Sequence, residues 1–202
     1  MIHRLLVGGL GLLSVACGGD KMPNVGPDAS VPLGIDAPVA PAKHRVFVTS
    51  GQFGANLGGL AGADAACQGA ATAAALGGTW RAWLSTSSVD AIDHIADVSP
   101  WYLIDGTTLA FSSHAQLGGQ PSAPIDQNES GHTYDPAVTN TSDLVVRTGS
   151  VAGRAAETCS DWTTTSANSD GTYGFLDDPS TWTAFASGQC NTTNGRLYCF
   201  QQ

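Results

Sequence analysis

The chain has 202 residues, with 17 acidic side chains against 8 Lys and Arg, for a net charge of −9. A phosphate backbone demands clustered Lys and Arg, so nucleic acid is excluded as a partner and heparin-like polyanions are disfavoured. Charged residues make up only 12 % of the chain and glycines number 25, a composition that suits an extracellular, loop-rich fold better than a cytosolic helical one.

The first segment is a leader. Arg4 supplies a short positive start, and Leu5 to Ala16 form an apolar run of twelve residues. A membrane-spanning helix needs about 20 such residues, so residues 1–16 read as a signal peptide rather than a transmembrane segment. The run ends Leu12-Leu13-Ser14-Val15-Ala16-Cys17, which resembles a lipobox with Cys17 as the acylated residue. Ser14 departs from the usual aliphatic residue there, and an ordinary cleaved signal peptide with a secreted product is the alternative. Residues 17–43 carry five of the ten prolines and few large apolar side chains. That composition cannot bury enough surface to offset ordering entropy, so the segment reads as a disordered Pro/Gly-rich tether. Loss of the leader removes one Arg and no acid, and the charge becomes −10.

Residues 44–202 are the size of one ordinary domain. They hold four cysteines, Cys67, Cys159, Cys190 and Cys199, none in a C-x-x-C motif. An even number in an exported chain implies two disulfides, with three pairings open. In chain order, Arg45 to Thr49 reads as a strand, and Leu60 to Leu76 as an alanine-rich helix stopped by Gly77-Gly78. Thr79 to Leu84 alternates as a half-buried strand does, and 88–96 suggests a short amphipathic helix. Two strands flank Asp105-Gly106 as a two-residue hairpin, and 114–117 adds a helical turn. Residues 144–147 form another strand. The stretches 112–142 and 163–189 read as long loops, and 157–164 and 194–200 as ordered segments bearing cysteines. The expected class is α+β, a mixed twisted sheet with one main helix and long loops.

Three stretches resemble the endostatin domain found at the end of some vertebrate collagens. They are Gly62-Ala63-Asp64-Ala65-Ala66-Cys67 followed by Gly77-Gly78-Thr79-Trp80-Arg81-Ala82-Trp83-Leu84; Gly153-Arg154 leading to Glu157-Thr158-Cys159-Ser160-Asp161-Trp162; and Ser187-Gly188-Gln189-Cys190 closing with Arg196-Leu197-Tyr198-Cys199. Their order and spacing hold across nearly all of 44–202. The chain is similar, more closely, to bacterial endostatin-like outer-membrane lipoproteins, some of which bind host matrix proteins and complement regulators in spirochaetes. The resemblance implies a C-type-lectin-like fold with nested disulfides, Cys67 to Cys199 and Cys159 to Cys190. It also implies a structural role for Arg81 in a core strand, and core positions for Trp80, Trp83 and Trp162. Trp101 and Trp182 are left as candidates to line a ligand surface.

Functional sites transfer poorly. Of the family's zinc ligands, only His44 and Asp105 have counterparts, and a structural zinc site wants four. On ligand count, a terminal histidine and a hairpin aspartate account for both better than a metal does. The family's heparin site is matched only at Arg81 and Arg154. Asp126, Asn128, Glu129 and Asp135 share a loop and offer the hard oxygen ligands calcium prefers, against the alternative of a solvated polar loop. His94, His114 and His132 are isolated in sequence, and no Gly-x-Ser-x-Gly is present. No cofactor is required by any of these features. The expectation is a non-enzymatic envelope lipoprotein, an adhesin or binding module held to the membrane by its N-terminal lipid. Its partner would be an extracellular protein or glycan, contacted by the loops at 112–142 and 163–189. A polysaccharide hydrolase, with its carboxylates among Asp126, Glu129 and Asp135, and a purely structural envelope protein are the rivals.

Overall fold

A computed structural model describes residues 43–202, apart from 138 and 193. The leader, Cys17 and the tether as far as residue 42 lie outside the described residues. Strand β1 (His44–Val48) is the centre of the main sheet, because its β-branched and aromatic side chains suit a position buried on both faces. It pairs in parallel with β3 (Trp101–Tyr102) and antiparallel with the last strand, β10 (Tyr198–Gln201). With β2 (Trp80–Ala82) and β4 (Leu109–Phe111) the order is β2-β10-β1-β3-β4. Period-two alternation sorts the side chains into two cores. Val46, Val48, Tyr198 and Phe200 join Trp83, Trp101, Phe111 and Trp182 on one face. Phe47, Leu197 and Cys199 join Trp80, Leu84 and Trp162 on the other.

Helix α1 (Gly59–Ala73) covers the second face, burying Ala63, Cys67 and Ala71 at four-residue spacing. These small residues let the helix lie close to the sheet. Gly62 is needed at its start, because a Cβ there would meet the Leu57 carbonyl oxygen at 1.9 Å. The Cys67–Cys199 disulfide ties this helix to the last strand and closes 132 residues of chain; Cys159–Cys190 closes 31 within it. A shorter helix, α2 (Ala91–His94), occupies only part of the span expected from 88–96. The hairpin at Asp105-Gly106 is longer than two residues: Leu103 donates to the Thr108 carbonyl, and Asp105 caps the turn between them.

A second sheet departs from the loop expected over 163–189. It comprises β5 (Val145–Arg147), β8 (Asp170–Phe175) and β9 (Ala186–Gln189) in the order β5-β8-β9. Between β5 and β8 lies a hairpin of β6 (Ser150–Val151) and β7 (Arg154–Ala155), turning through Ala152 and Gly153 at positive φ. A short helical turn then runs Cys159–Trp162 with φ between 50° and 62° at all four residues. Such left-handed backbone costs about 1–2 kcal/mol per non-glycine residue and persists only when its surroundings over-determine it. Here the Trp162 indole donates to the Ser85 carbonyl at 2.7 Å, and Thr158 accepts the Asp161 N–H. Asp161 accepts both the N–H and the hydroxyl of Ser87, and Cys159 is bonded to Cys190. The molecule is thus a mixed α+β domain with one main helix and two disulfides.

Candidate functional site

The residues nominated from sequence take separate structural jobs. Asp105 accepts from Thr107, Thr108 and Gln127. Burial opposes its charge, but those bonds, led by Thr108, outweigh it and hold the carboxyl well below the usual range. His44 opens β1 opposite Trp101, with its Nδ1 buried and unbonded. Asn128 folds its loop back on itself, its side-chain oxygen accepting from Ser130 and His132. Glu129 is buried and accepts from the backbone and hydroxyl of Ser50. Asp135 caps its own turn by accepting from Ala137. Asp126 is half-buried, and burial, reinforced by the charge of Asp105, raises its carboxyl above the ordinary range. Among the described residues no three His, Cys, Asp or Glu side chains converge on a position for a metal ion.

The loop carrying these four is a strap. Val48 donates to the Gln127 carbonyl, and Tyr134 lies 4.3 Å beneath the guanidinium of Arg196. Arg196 is buried, donating to the carbonyls of Thr49, Ser50 and Asp143. Trp101 and Trp182, nominated for a ligand surface, are buried. Arg81 lies in β2 of the main sheet, paired with Phe200, with its side chain exposed and donating to the His94 carbonyl at 2.8 Å.

Concavity lies elsewhere, on the second sheet and its hairpin. A cleft of about 340 Å³ is lined by Val151, Ala156, Glu157, Thr172 and Ala184–Ser187. At Ala156 and Glu157 it runs into a polar cleft of about 290 Å³ formed by 156–160 and 168–170. At Val151 and Ala184 it runs into a third of about 280 Å³, bounded by 118–120, 180 and 182–184. The three share lining residues and so form one groove, apolar in the middle and polar at the Asp170 end. Among the described residues, the large hydrophobics left exposed are Val151 at 51 % and Phe185 at 56 %, and both stand in this groove.

Phe185 is exposed but held. Its ring lies 4.7 Å from Phe175 and 6.2 Å from Tyr173, and its N–H donates to the Tyr173 carbonyl at 2.8 Å. A rigid aromatic loses little freedom on binding, which is what recognition surfaces require. Glu157 and Asp170 line the polar end and enter no ion pair among the described residues; the neighbouring cation, Arg154, is held by Asp90 at 2.8 Å. Sequence reasoning placed partner contacts on 112–142 and 163–189. The groove takes Gly118–Gln120 from the first and 168–170, 172, 180 and 182–187 from the second, and adds Val151 and Ala152 of the β6–β7 hairpin, whose two-residue strands are too short to show a period, and 156–160. No protein-family model matches the chain, and a search of the curated proteins finds no match.

Proposed function

We propose that this chain is a cell-envelope lipoprotein whose folded domain binds an extracellular protein or glycan without chemically altering it. The carrying observation is the groove: the two exposed large hydrophobics converge there, one of them braced by two further aromatics. Contiguous exposed apolar surface rimmed by polar groups marks an interaction site. Each cleft is at the small end for a ligand pocket, which suits a segment of a larger partner rather than an engulfed cofactor. Disulfides persist in oxidising compartments, in keeping with export through the leader and anchorage through a lipid on Cys17. In this reading the domain is endostatin-like, of C-type-lectin-like architecture. The quoted cysteine, tryptophan and glycine motifs support that assignment, as does the helix tied to the last strand.

The test is a pull-down with the full chain against extracellular-matrix glycoproteins and cell-envelope glycans, beside Phe185→Ala. The exposed ring of Phe185 makes its removal tolerable to the fold. Capture of a matrix protein or glycan by the wild type, lost in the variant, is the expected result. Failure to capture any of them, or hydrolysis of a captured glycan, overturns the reading.

A further inference from the structure

Sheet edges present unpaired backbone groups, and proteins guard them. The edge at β2 is closed by α1, where Asp64 accepts from Ala82 N–H and Gln68 from Trp80 N–H. The edge at β4 is met by Ser122, which donates to the Ala110 carbonyl at 2.7 Å. The edge at β5 is joined by Arg196, which exchanges bonds with Arg147 and Val145. Strand β9 differs. Among the described residues it pairs with β8 alone, and its sequence Ala-Ser-Gly-Gln holds no lysine, proline or other blocking residue. The bond from Cys190 N–H to the Ser169 carbonyl sets the phase of the ladder. By alternation, Ala186 and Gly188 face β8, while Ser187 and Gln189 turn their backbone groups outward. The Gln189 carbonyl is taken by Thr192; among the described residues, the N–H groups of both residues and the Ser187 carbonyl have no partner and remain for an added strand.

The side chains beside this edge define what would lie there. Asp170, Thr172, Ser187 and Gln189 share one face of the sheet by register. Thr172 and Ser187 of that face line the groove, with the recess of Val151, Ala184 and Phe185 at one end and Glu157 and Asp170, in no ion pair among the described residues, at the other. We propose that β9 receives an extended segment of a partner protein as an added strand. Main-chain bonds to Ser187 and Gln189 hold it, an apolar side chain enters the recess, and a Lys or Arg meets Glu157 and Asp170. Strand addition draws affinity from the backbone and specificity from side-chain pockets, and this edge offers both. The proposal rests on the binding function above and narrows its ligand to a basic, apolar strand of protein.

The probe is a fluorescent peptide of about six residues, an ordinary strand length. One face carries valine and lysine, in both orders, with threonine elsewhere. Binding to the full chain is read by anisotropy. N-methylation at the backbone positions facing β9 removes main-chain donors without changing side chains. It is expected to weaken binding about tenfold, the equivalent of one good hydrogen bond. Exchanging lysine for glutamate, or using the Glu157→Gln/Asp170→Asn double variant, is expected to weaken it as well. Ser187→Pro abolishes binding, with near-ultraviolet circular dichroism as the check on folding. Equal binding of the N-methylated peptide overturns strand addition on the wild-type chain alone. If matrix proteins or glycans are still captured while no peptide binds, the edge proposal fails and the binding function survives. If nothing is captured at all, both fail.

Discussion

The carboxylate of Asp64 accepts the backbone N–H of Ala82 at 2.9 Å, so a helix side chain completes the edge of the main sheet. Gln68 does the same for Trp80 at 3.0 Å. The match is geometric: four helical residues rise about 6 Å, close to the roughly 6.6 Å spanned by two strand residues. Asp64 also holds His94, whose Nε2 lies 2.9 Å from one carboxylate oxygen and 3.0 Å from the other.

Asp64→Ala strands the Ala82 donor and the His94 ring together. A buried donor left without a partner costs about 1–3 kcal/mol, so the variant is expected to lose at least 2 kcal/mol in urea unfolding. Gln68→Ala takes the acceptor from the Trp80 N–H together with exposed bonds to Thr72 and the Gly78 carbonyl, and is expected to lose about 1–2 kcal/mol. Equal losses would show that the His94 contact contributes nothing.

Replacing Cys67 and Cys199 by serine releases a loop of 132 residues in the unfolded chain. The chain-entropy model puts that bridge at about 5 kcal/mol, and measured losses for native disulfides run about 2–5 kcal/mol. Both positions are fully buried, so the hydroxyls add a desolvation cost. The Cys159–Cys190 bridge closes 31 residues, and the same model assigns it about 4 kcal/mol. Thermal unfolding of each pair variant should therefore rank the long bridge above the short one.

The legible parts of this fold are those where local chemistry and tertiary need agree. Val46-Phe47-Val48 is strand-forming and fully buried, and the alanine-rich helix forms where expected but ends at Ala73 rather than Leu76, with Ala75 the first residue at positive φ ahead of Gly77 and Gly78. Of the second sheet, β5 matches the strand expected at 144–147, while β8 and β9 were hidden because they are written in turn residues. Asp170-Gly171-Thr172-Tyr173-Gly174-Phe175 scores as a loop, yet Gly174 is fixed by packing: a Cβ there would meet the Trp182 carbonyl oxygen at 2.1 Å. The groove was hidden for the same reason, since it lies on that sheet. Carboxylates drew attention to 126–135, where hydrogen bonds to the chain's own loops already occupy Glu129, Asn128 and Asp135.

Asp126 carries a cost that pH can remove. Burial raises its carboxyl in the fold, while the unfolded chain keeps the ordinary value near 3.9. Between those two values the folded chain holds a proton that the unfolded chain has released, so stability falls as pH rises through the window. The whole cost is present at neutral pH and absent below the ordinary value. Asp126→Asn should raise the melting temperature at pH 7 and leave it unchanged near pH 3. The acid limb itself belongs to Asp90, Asp105, Asp161 and Asp178, whose hydrogen bonds lower their carboxyls, so their stabilisation is lost as pH falls through those depressed values. A parallel shift of the whole curve in the variant would contradict this division.

The left-handed turn at Cys159–Trp162 is expected to split by residue. Ser160 is exposed with φ of 54°, and its hydroxyl makes no bond that the turn needs. Glycine relieves about 1–2 kcal/mol of backbone strain there, against about 0.5–1 kcal/mol of added unfolded-state entropy, so Ser160→Gly should gain a few tenths to 1 kcal/mol. Trp162→Phe removes the indole donor from the buried Ser85 carbonyl and should lose about 2–3 kcal/mol through the lost bond and a smaller ring. Urea unfolding of the two variants and their double mutant separates strain from restraint. If the turn is held chiefly by Trp162, the glycine gain shrinks when the indole is absent, because the released turn relaxes out of the left-handed region. A gain that stays constant would assign the restraint to the Cys159–Cys190 bridge and the Asp161–Ser87 pair instead.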